Sequence, residues 1–250
     1  MLKKMPIGDT IIELSEIDST NNYAMRLINE GMAEHGVVVR ADFQTEGKGQ
    51  LGNTWHSEER KNLLLSVILD TTGFSLERQF YLNAMACLSV ADALMTNYTL
   101  RDISIKWPND IYAGNRKLAG ILIENNLRGN TWTNAIIGIG INVNQVNFPD
   151  LNRATSIRNE TSQDIKMGAL MKQLFRSINK FYEIFKQQNE SLFEFYNQML
   201  YMRNQEILFQ KRYEIFKGIL KGVSTEGLIE IQVENKLKRF MHKEIELMLE

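Results

Sequence analysis

Apolar and polar positions alternate over residues 10–17 and again over 37–44, which predicts two strands. Between them Asp18-Ser19-Thr20-Asn21-Asn22 offers several helix caps, Ala24, Leu27 and Ile28 share one helical face, and Gly31 supplies a stop. Ser19 and Thr20 read most simply as caps. A hydroxyl at a helix start also lies beside free backbone donors that suit a polar ligand. A strand is expected over 62–69 and a helix over 76–98, where Phe80, Ala84, Leu88, Ala91 and Met95 recur at near-helical spacing. Over 131–143 alternation sets Gly138, Gly140, Asn142 and Asn144 on one face and Ile137, Ile139, Ile141 and Val143 on the other. That strand is either cleared for a ligand on its glycine side or packed against a helix there. A single long helix is expected over 167–201, with Leu170, Leu174, Ile178, Phe181 and Phe185 as its core stripe. Short strands then follow at 206–209, 213–223, 228–233 and 236–240, the pattern of a small β-barrel appended to an α+β domain.

Residues 106–124 read as a hairpin turning at Gly114-Asn115, a two-residue loop that tolerates positive φ. With Ala113 and Arg116 flanking the loop, Tyr112 is expected to face Lys117, Ile111 to face Leu118 and Asp110 to face Ala119. Asp110 and Lys117 would then share a sheet surface diagonally, roughly 7 to 8 Å apart. For an isolated Asp and Lys, an ordinary solvated salt bridge is the plainer reading. Trp107-Pro108-Asn109 interrupts the first strand, because proline donates nothing to the ladder and restricts the residue before it. Such an interruption suits a pocket wall.

The stretch Gly47-Lys48-Gly49-Gln50-Leu51-Gly52-Asn53-Thr54-Trp55 matches G-x-G-x-x-G directly after a strand. A dinucleotide fold needs a helix to open at the third glycine. Residues 53–62 are polar without a helical stripe, and no Gly-Lys-Ser or Gly-Lys-Thr follows, so both the dinucleotide and the Walker readings fail. What remains is a glycine loop between strands, either a mobile surface turn or a ligand loop. In the second case backbone N–H groups approach a ligand, Lys48 offers a cation for phosphate and Trp55 a flat face for a ring.

Length allows one large domain or one large and one small. A net charge of −1 gives no argument for nucleic acid. The lone Cys87 lies in an apolar run and is expected to be a core residue in a reducing compartment. No segment is long and apolar enough to span a bilayer, and a soluble cytoplasmic protein without membrane contacts is expected.

Ser19-Thr20-Asn21, Gln44 with Gly47-x-Gly49-x-x-Gly52-x-x-Trp55, Lys106-Trp107-Pro108-Asn109-Asp110, Arg116 to Glu124 and Gly138 to Asn144 occur in that order. This ordered set resembles the biotin protein ligases (biotin, acetyl-CoA-carboxylase ligases). The resemblance implies a class II synthetase-like α+β catalytic domain, a mixed sheet flanked by helices, over residues 1–203, and a small SH3-like β-barrel over 204–250. It implies ATP with Mg²⁺ as co-substrate, biotin as substrate, no permanently bound cofactor, and biotinyl-AMP as intermediate. The biotinyl group would pass to a lysine of a biotin carboxyl carrier domain. By the same resemblance Ser19, Thr20 and Gln44 would hold the ureido ring, with Gly47, Gly49, Gly120 and Gly140 lining the biotin pocket. Lys117 and Lys48 would act at the reacting carboxylate and phosphate. Gln50, Asn53 and Trp55, with Asn142 or Asn144, would serve the nucleotide, joined by Asn109 and Asp110, the latter a tentative magnesium contact. A ligase for another carboxylic acid, such as lipoate, and a non-catalytic biotin or adenylate sensor are the rival readings. About ten residues precede the first strand, too few for a helix-turn-helix reader, so a monofunctional ligase without DNA binding is expected, with a homodimer compatible.

Many bacterial members carry Gly-Arg-Gly-Arg-x-Gly-Arg-x-Trp, where this chain has Lys48, Gln50 and Asn53. Each cation lost removes a charge-assisted hydrogen bond to an anionic adenylate. Gln50→Arg is therefore expected to slow adenylate release, timed by rapid filtration of loaded enzyme; an unchanged release rate would refute this.

Overall fold

The computed structural model describes residues 5–149, 151–187 and 190–248, without the side chain of Leu51. Its elements are β1 (Ile11–Ile17), α1 (Thr20–Asn29), β2 (Val38–Gln44), β3 (Asn62–Asp70), α2 (Gln79–Asn97), β4 (Ile103–Lys106), β5 (Asp110–Ala113), β6 (Arg116–Arg128) and β7 (Thr131–Asn142). There follow α3 (Ile157–Thr161), α4 (Met167–Lys186), α5 (Ser191–Gln198), β8 (Glu206–Lys211), β9 (Glu214–Val223), β10 (Ile229–Val233), β11 (Lys236–Phe240) and β12 (Glu246–Met248).

β3 reads Asn-Leu-Leu-Leu-Ser-Val-Ile-Leu-Asp and is buried on both faces up to Asp70, which requires a place inside a sheet. The sheet has the order β1-β2-β3-β7-β6-β5-β4, with β1 and β2 parallel and the other neighbours antiparallel. One face carries Leu63, Leu65, Val67 and Ile137 against α2 and α4; each such side chain contributes roughly 1.5–3 kcal/mol by leaving water. The opposite face carries Ile68, Ile136 and Val39 against Ala24, Leu27 and Ile28 of α1. α1 is short and covers only part of that face.

The long helix expected over 167–201 is two helices. α4 ends at Lys186 with Gln187 as its cap and α5 begins at Ser191, because Gln187-Gln188-Asn189-Glu190 has no apolar residue to continue the stripe. Residues 188 and 189, which that expectation included, lie outside the described residues. The helix expected over 76–98 opens as a 3₁₀ turn, Leu76–Arg78, whose Ser75 accepts from the Glu77 amide. β4 and α3 carried too little periodicity to be expected. The C-terminal strands form a second, five-stranded antiparallel sheet in the order β11-β10-β9-β8-β12, consistent with an SH3-like unit, around Phe209, Leu220, Ile231 and Phe240.

The junction between β4 and β5 is pinned from behind. The Pro108 carbonyl accepts from Asn83 Nδ2 of α2 and from the Tyr196 hydroxyl of α5, both at 2.8 Å. Trp107 donates its indole N–H to the Gly227 carbonyl at 3.0 Å, tying the junction to the C-terminal sheet. Tyr196→Phe is expected to lower the unfolding free energy by about 1 kcal/mol in urea titrations; an unchanged midpoint would remove the hydroxyl from the anchor.

Candidate functional site

On the α1 side of the sheet the side chains give out where α1 stops covering it. Gly140 of β7 pairs with Gly120 of β6 and Leu64 of β3, and Gly138 pairs with Leu122 and Ser66. A cavity of about 200 Å³ lies over these glycines. Its walls begin with the start of α1. Ser19 occupies the N-cap position, but its side chain caps nothing and faces the cavity, so the simple capping expectation fails there. The Gln44 side-chain carbonyl accepts from the Thr20 amide at 2.7 Å and from the Thr20 hydroxyl at 3.0 Å, which fixes the amide group at the end of β2. Asn21 donates to Glu124 at 2.6 Å, and the Ser66 hydroxyl lies 2.6 Å from Asn21 Oδ1 and 2.7 Å from Thr20 Oγ1. The result is a buried array of donors and acceptors held rigid by its own bonds. A Cβ at Gly138 would collide with Asn21 Oδ1, so the glycine there makes room for the array.

The other end of the cavity is ionic. β5 and β6 turn at Gly114, whose φ of +55° suits the first position of a tight hairpin loop. The expected register holds for Ala113 with Arg116 and Tyr112 with Lys117, then slips at a bulge, so that Ile111 meets Ala119 and Asp110 meets Gly120. The backbone of Lys117 is diverted to a neighbouring segment: its N–H donates to Arg153 O at 2.6 Å and its carbonyl accepts from Thr155 at 2.9 Å. Lys117 Nζ sits 2.7 Å from Asp110 Oδ1, the salt bridge that is the plainer reading of this pair. Asn109 brackets the same strand, donating its side-chain N–H to the Ile121 carbonyl while its own carbonyl accepts from the Ile121 amide.

Lys106, at the end of β4, and His242, in the turn before β12, complete this end. Burial holds the Lys106 ammonium below the usual lysine range; Asp110 and Glu246 oppose that, while Lys117 and Arg153 reinforce it. His242 packs edge-on against Trp107, with ring centroids 5.4 Å apart. Burial and the Lys243 and Lys106 charges push its imidazole below the usual histidine range, and Asp110 pulls it up.

The glycine loop closes the top as a small hairpin. The Trp55 amide donates to Gly47 O at 2.8 Å, the Gly49 amide donates to Asn53 O at 2.7 Å, and Gln50–Gly52 forms a 3₁₀ tip. Lys48 reaches back to Glu124 at 3.5 Å, and Lys117 lies 5.6 Å from the Trp55 ring. The indole rests on the glycines: a Cβ at Gly140 would lie 2.6 Å from it and one at Gly120 3.1 Å. Trp55 Nε1 and Gln50 Oε1 are buried without a partner among the described residues.

Of the residues expected to act, Ser19, Thr20, Gln44, Lys48, Gly49 and Gln50 line this one cavity. Asn53, Trp55, Asn109, Asp110, Lys117, Gly120 and Gly140 line it as well. Gly47 does not; it is needed because a Cβ there would strike the Trp55 carbonyl. Asn142 and Asn144 also stand apart. Asn142 donates to the Thr155 carbonyl at 3.0 Å, and Asn144 holds both the amide and the carbonyl of Ile165 at 2.9 Å, so they secure the loops after β7. Trp55 therefore lies with Gly120 and Gly140 and not with those amides. Asn21, Lys106 and Glu124 belong to the ordered motifs and also face or brace this cavity, and Gly138 lines it on the cleared face that alternation predicts. His242 gave no sequence signal, since it belongs to the other sheet.

A family model described as the biotin/lipoate A/B protein ligase family matches residues 14–142. This chain belongs to that family. Among curated family members, the bifunctional ligase/repressor BirA of Escherichia coli K12 is 31% identical over 257 residues, covering 96% of this chain and 74% of that protein. Its counterpart in Bacillus subtilis strain 168 is 28% identical over 98% of this chain and 76% of its own length. The solved biotin protein ligase of Aquifex aeolicus, in complex with biotin and ATP, superposes with a TM-score of 0.81 at 30% identity, covering 96% of this chain and 99% of that one. The family match ends at Asn142, and His242 lies a hundred residues beyond it.

The charges around His242 fix the sign of a test on this ligase-family chain. Lys106→Met removes a downward push and is expected to raise the His242 pKa, whereas Asp110→Asn is expected to lower it, both followed by NMR titration of the imidazole. A midpoint insensitive to both would contradict the arrangement.

Proposed function

We propose that this chain is a biotin protein ligase, which activates biotin with ATP to biotinyl-5'-AMP, releases pyrophosphate, and transfers the biotinyl group to a lysine of a biotin carboxyl carrier domain. The observation that carries this reading is a single cavity with a neutral hydrogen-bonding array at one end and a lysine–carboxylate pair at the other. Biotin has the matching polarity: a ureido ring that donates and accepts at one end and a carboxylate at the other. Ser19, Thr20 and Gln44 are suited to the ring. Gly120 and Gly140 let the Trp55 indole lie directly on the sheet face, where it is suited to be the apolar wall against which the bicycle packs.

In the first step the biotin carboxylate oxygen attacks the α-phosphorus and pyrophosphate leaves. Two anions must meet, so a fixed cation between them lowers the barrier by favouring the charge distribution of the transition state. Lys117 is suited to that place, and the Asp110 contact at 2.7 Å orients its ammonium before substrate arrives. Lys48 is positioned on the loop to exchange Glu124 for the acyl phosphate, and loop closure would exclude water from a hydrolysable anhydride. Mg²⁺ would enter with the triphosphate as part of the substrate, near Asp110. The near-neutral net charge and the single buried cysteine support a ligase that works in the cytoplasm without DNA. The unit from about residue 204 is suited to flank the site through Trp107 and His242.

Biotin-dependent exchange of labelled pyrophosphate into ATP, without carrier, tests the reading. Wild-type protein is expected to exchange with biotin, and Lys117→Ala to lose about 100- to 1,000-fold. Exchange supported by lipoate or octanoate but not biotin, or full exchange in Lys117→Ala, would overturn it.

A further inference from the structure

We propose that His242 accepts the proton from the incoming lysine when the acyl adenylate is aminolysed; this rests on the ligase reading above. His242 stands at the cavity mouth. Ser19, Thr20 and Asn109 are no more than 8% exposed, whereas His242 is exposed to solvent, as is its neighbour Met241. The imidazole is nevertheless held in place. A bridge between His242 and Ile245 closes its turn, and the ring stands nearly perpendicular to Trp107, which is itself bonded to Gly227. In this proposal a nucleophile carried on another protein enters past His242.

That nucleophile is an ammonium at neutral pH, with a pKa of about 10.4, and it has no lone pair until a proton leaves. The charged groups around the mouth are poor acceptors. Lys106 at the end of β4, Lys117 on β6, Arg153 and Lys243 are cations; Asp110 on β5 is paired with Lys117, Glu244 on the turn is paired with Lys211 at 2.6 Å, and Glu246 on β12 faces the Lys106 ammonium. His242 differs from all of them in being a nitrogen base, whose protonation is disfavoured by its packing and by the Lys243 and Lys106 charges and favoured by Asp110. The same cations disfavour the lysine ammonium as it arrives and so help to expel its proton.

His242 takes one proton from the lysine ammonium, and the freed electron pair forms the N–C bond to the biotinyl carbonyl carbon. The bond from that carbon to the phosphate oxygen breaks, AMP leaves with the pair, and the second nitrogen proton goes to solvent. A positioned base of this kind commonly contributes about 100- to 10,000-fold.

The experiment uses full-length enzyme loaded with biotin and MgATP and follows discharge of the adenylate in a single turnover. One nucleophile is the carrier domain of acetyl-CoA carboxylase from the same genome; the other is hydroxylamine, whose nitrogen is unprotonated at neutral pH. The ratio of lysine transfer to hydroxamate formation is expected to fall about 100-fold in His242→Gln. In His242→Gly, added imidazole should recover part of that ratio. A ratio equal to wild type, or equal loss with both nucleophiles, would overturn the proposal. Wild-type protein that forms no adenylate from biotin would instead overturn the ligase reading, and the two failures are separately visible.

Discussion

The structure depends on a steric constraint: a patch of sheet from which side chains have been removed. Gly120 and Gly140 stand side by side on β6 and β7, and Gly138 lies one step along the same face. Elsewhere this face is covered by α1 through Ile68, Ile136 and Val39. The cavity exists because the helix stops and the glycines begin at the same place. Its floor is backbone held in a seven-stranded ladder, so it does not collapse when the loop above it moves.

Around that floor the polar groups are arranged by what holds them. The array at the start of α1 is neutral and mutually bonded, which suits recognition of a small polar ring. The ionic end sits beside an irregularity: the β5–β6 pair bulges, the Lys117 backbone bonds to the 153–155 segment, and the Lys117 side chain reaches Asp110. The glycine loop joins the ends, with Trp55 on the floor and Lys48 on Glu124, so its closing residues already rest on the site.

Much of this was legible in the sequence because period and turn chemistry carry it. Alternation through β7 placed Gly138 and Gly140 on one face, and the absence of a helix after Gly52 ruled out a dinucleotide fold. The remainder was decided by contacts distant in sequence. Nothing local announces the bulge, because it is set by a segment some forty residues away. Asn142 and Asn144 share the alternation of the glycines, yet Thr155 and Ile165 claim their amides. His242 reaches the site through contacts between the two sheets, the Trp107–Gly227 bond among them.

The central claim is that the cleared glycine face seats biotin, and calorimetric titration of biotin into wild-type and Gly140→Ala protein tests it directly. The added methyl meets the Trp55 ring and not the sheet backbone, so the ring must give way and biotin affinity should fall at least tenfold, a change of about 1.4 kcal/mol. Unaltered affinity in a folded Gly140→Ala protein would place the biotin seat elsewhere and contradict the account.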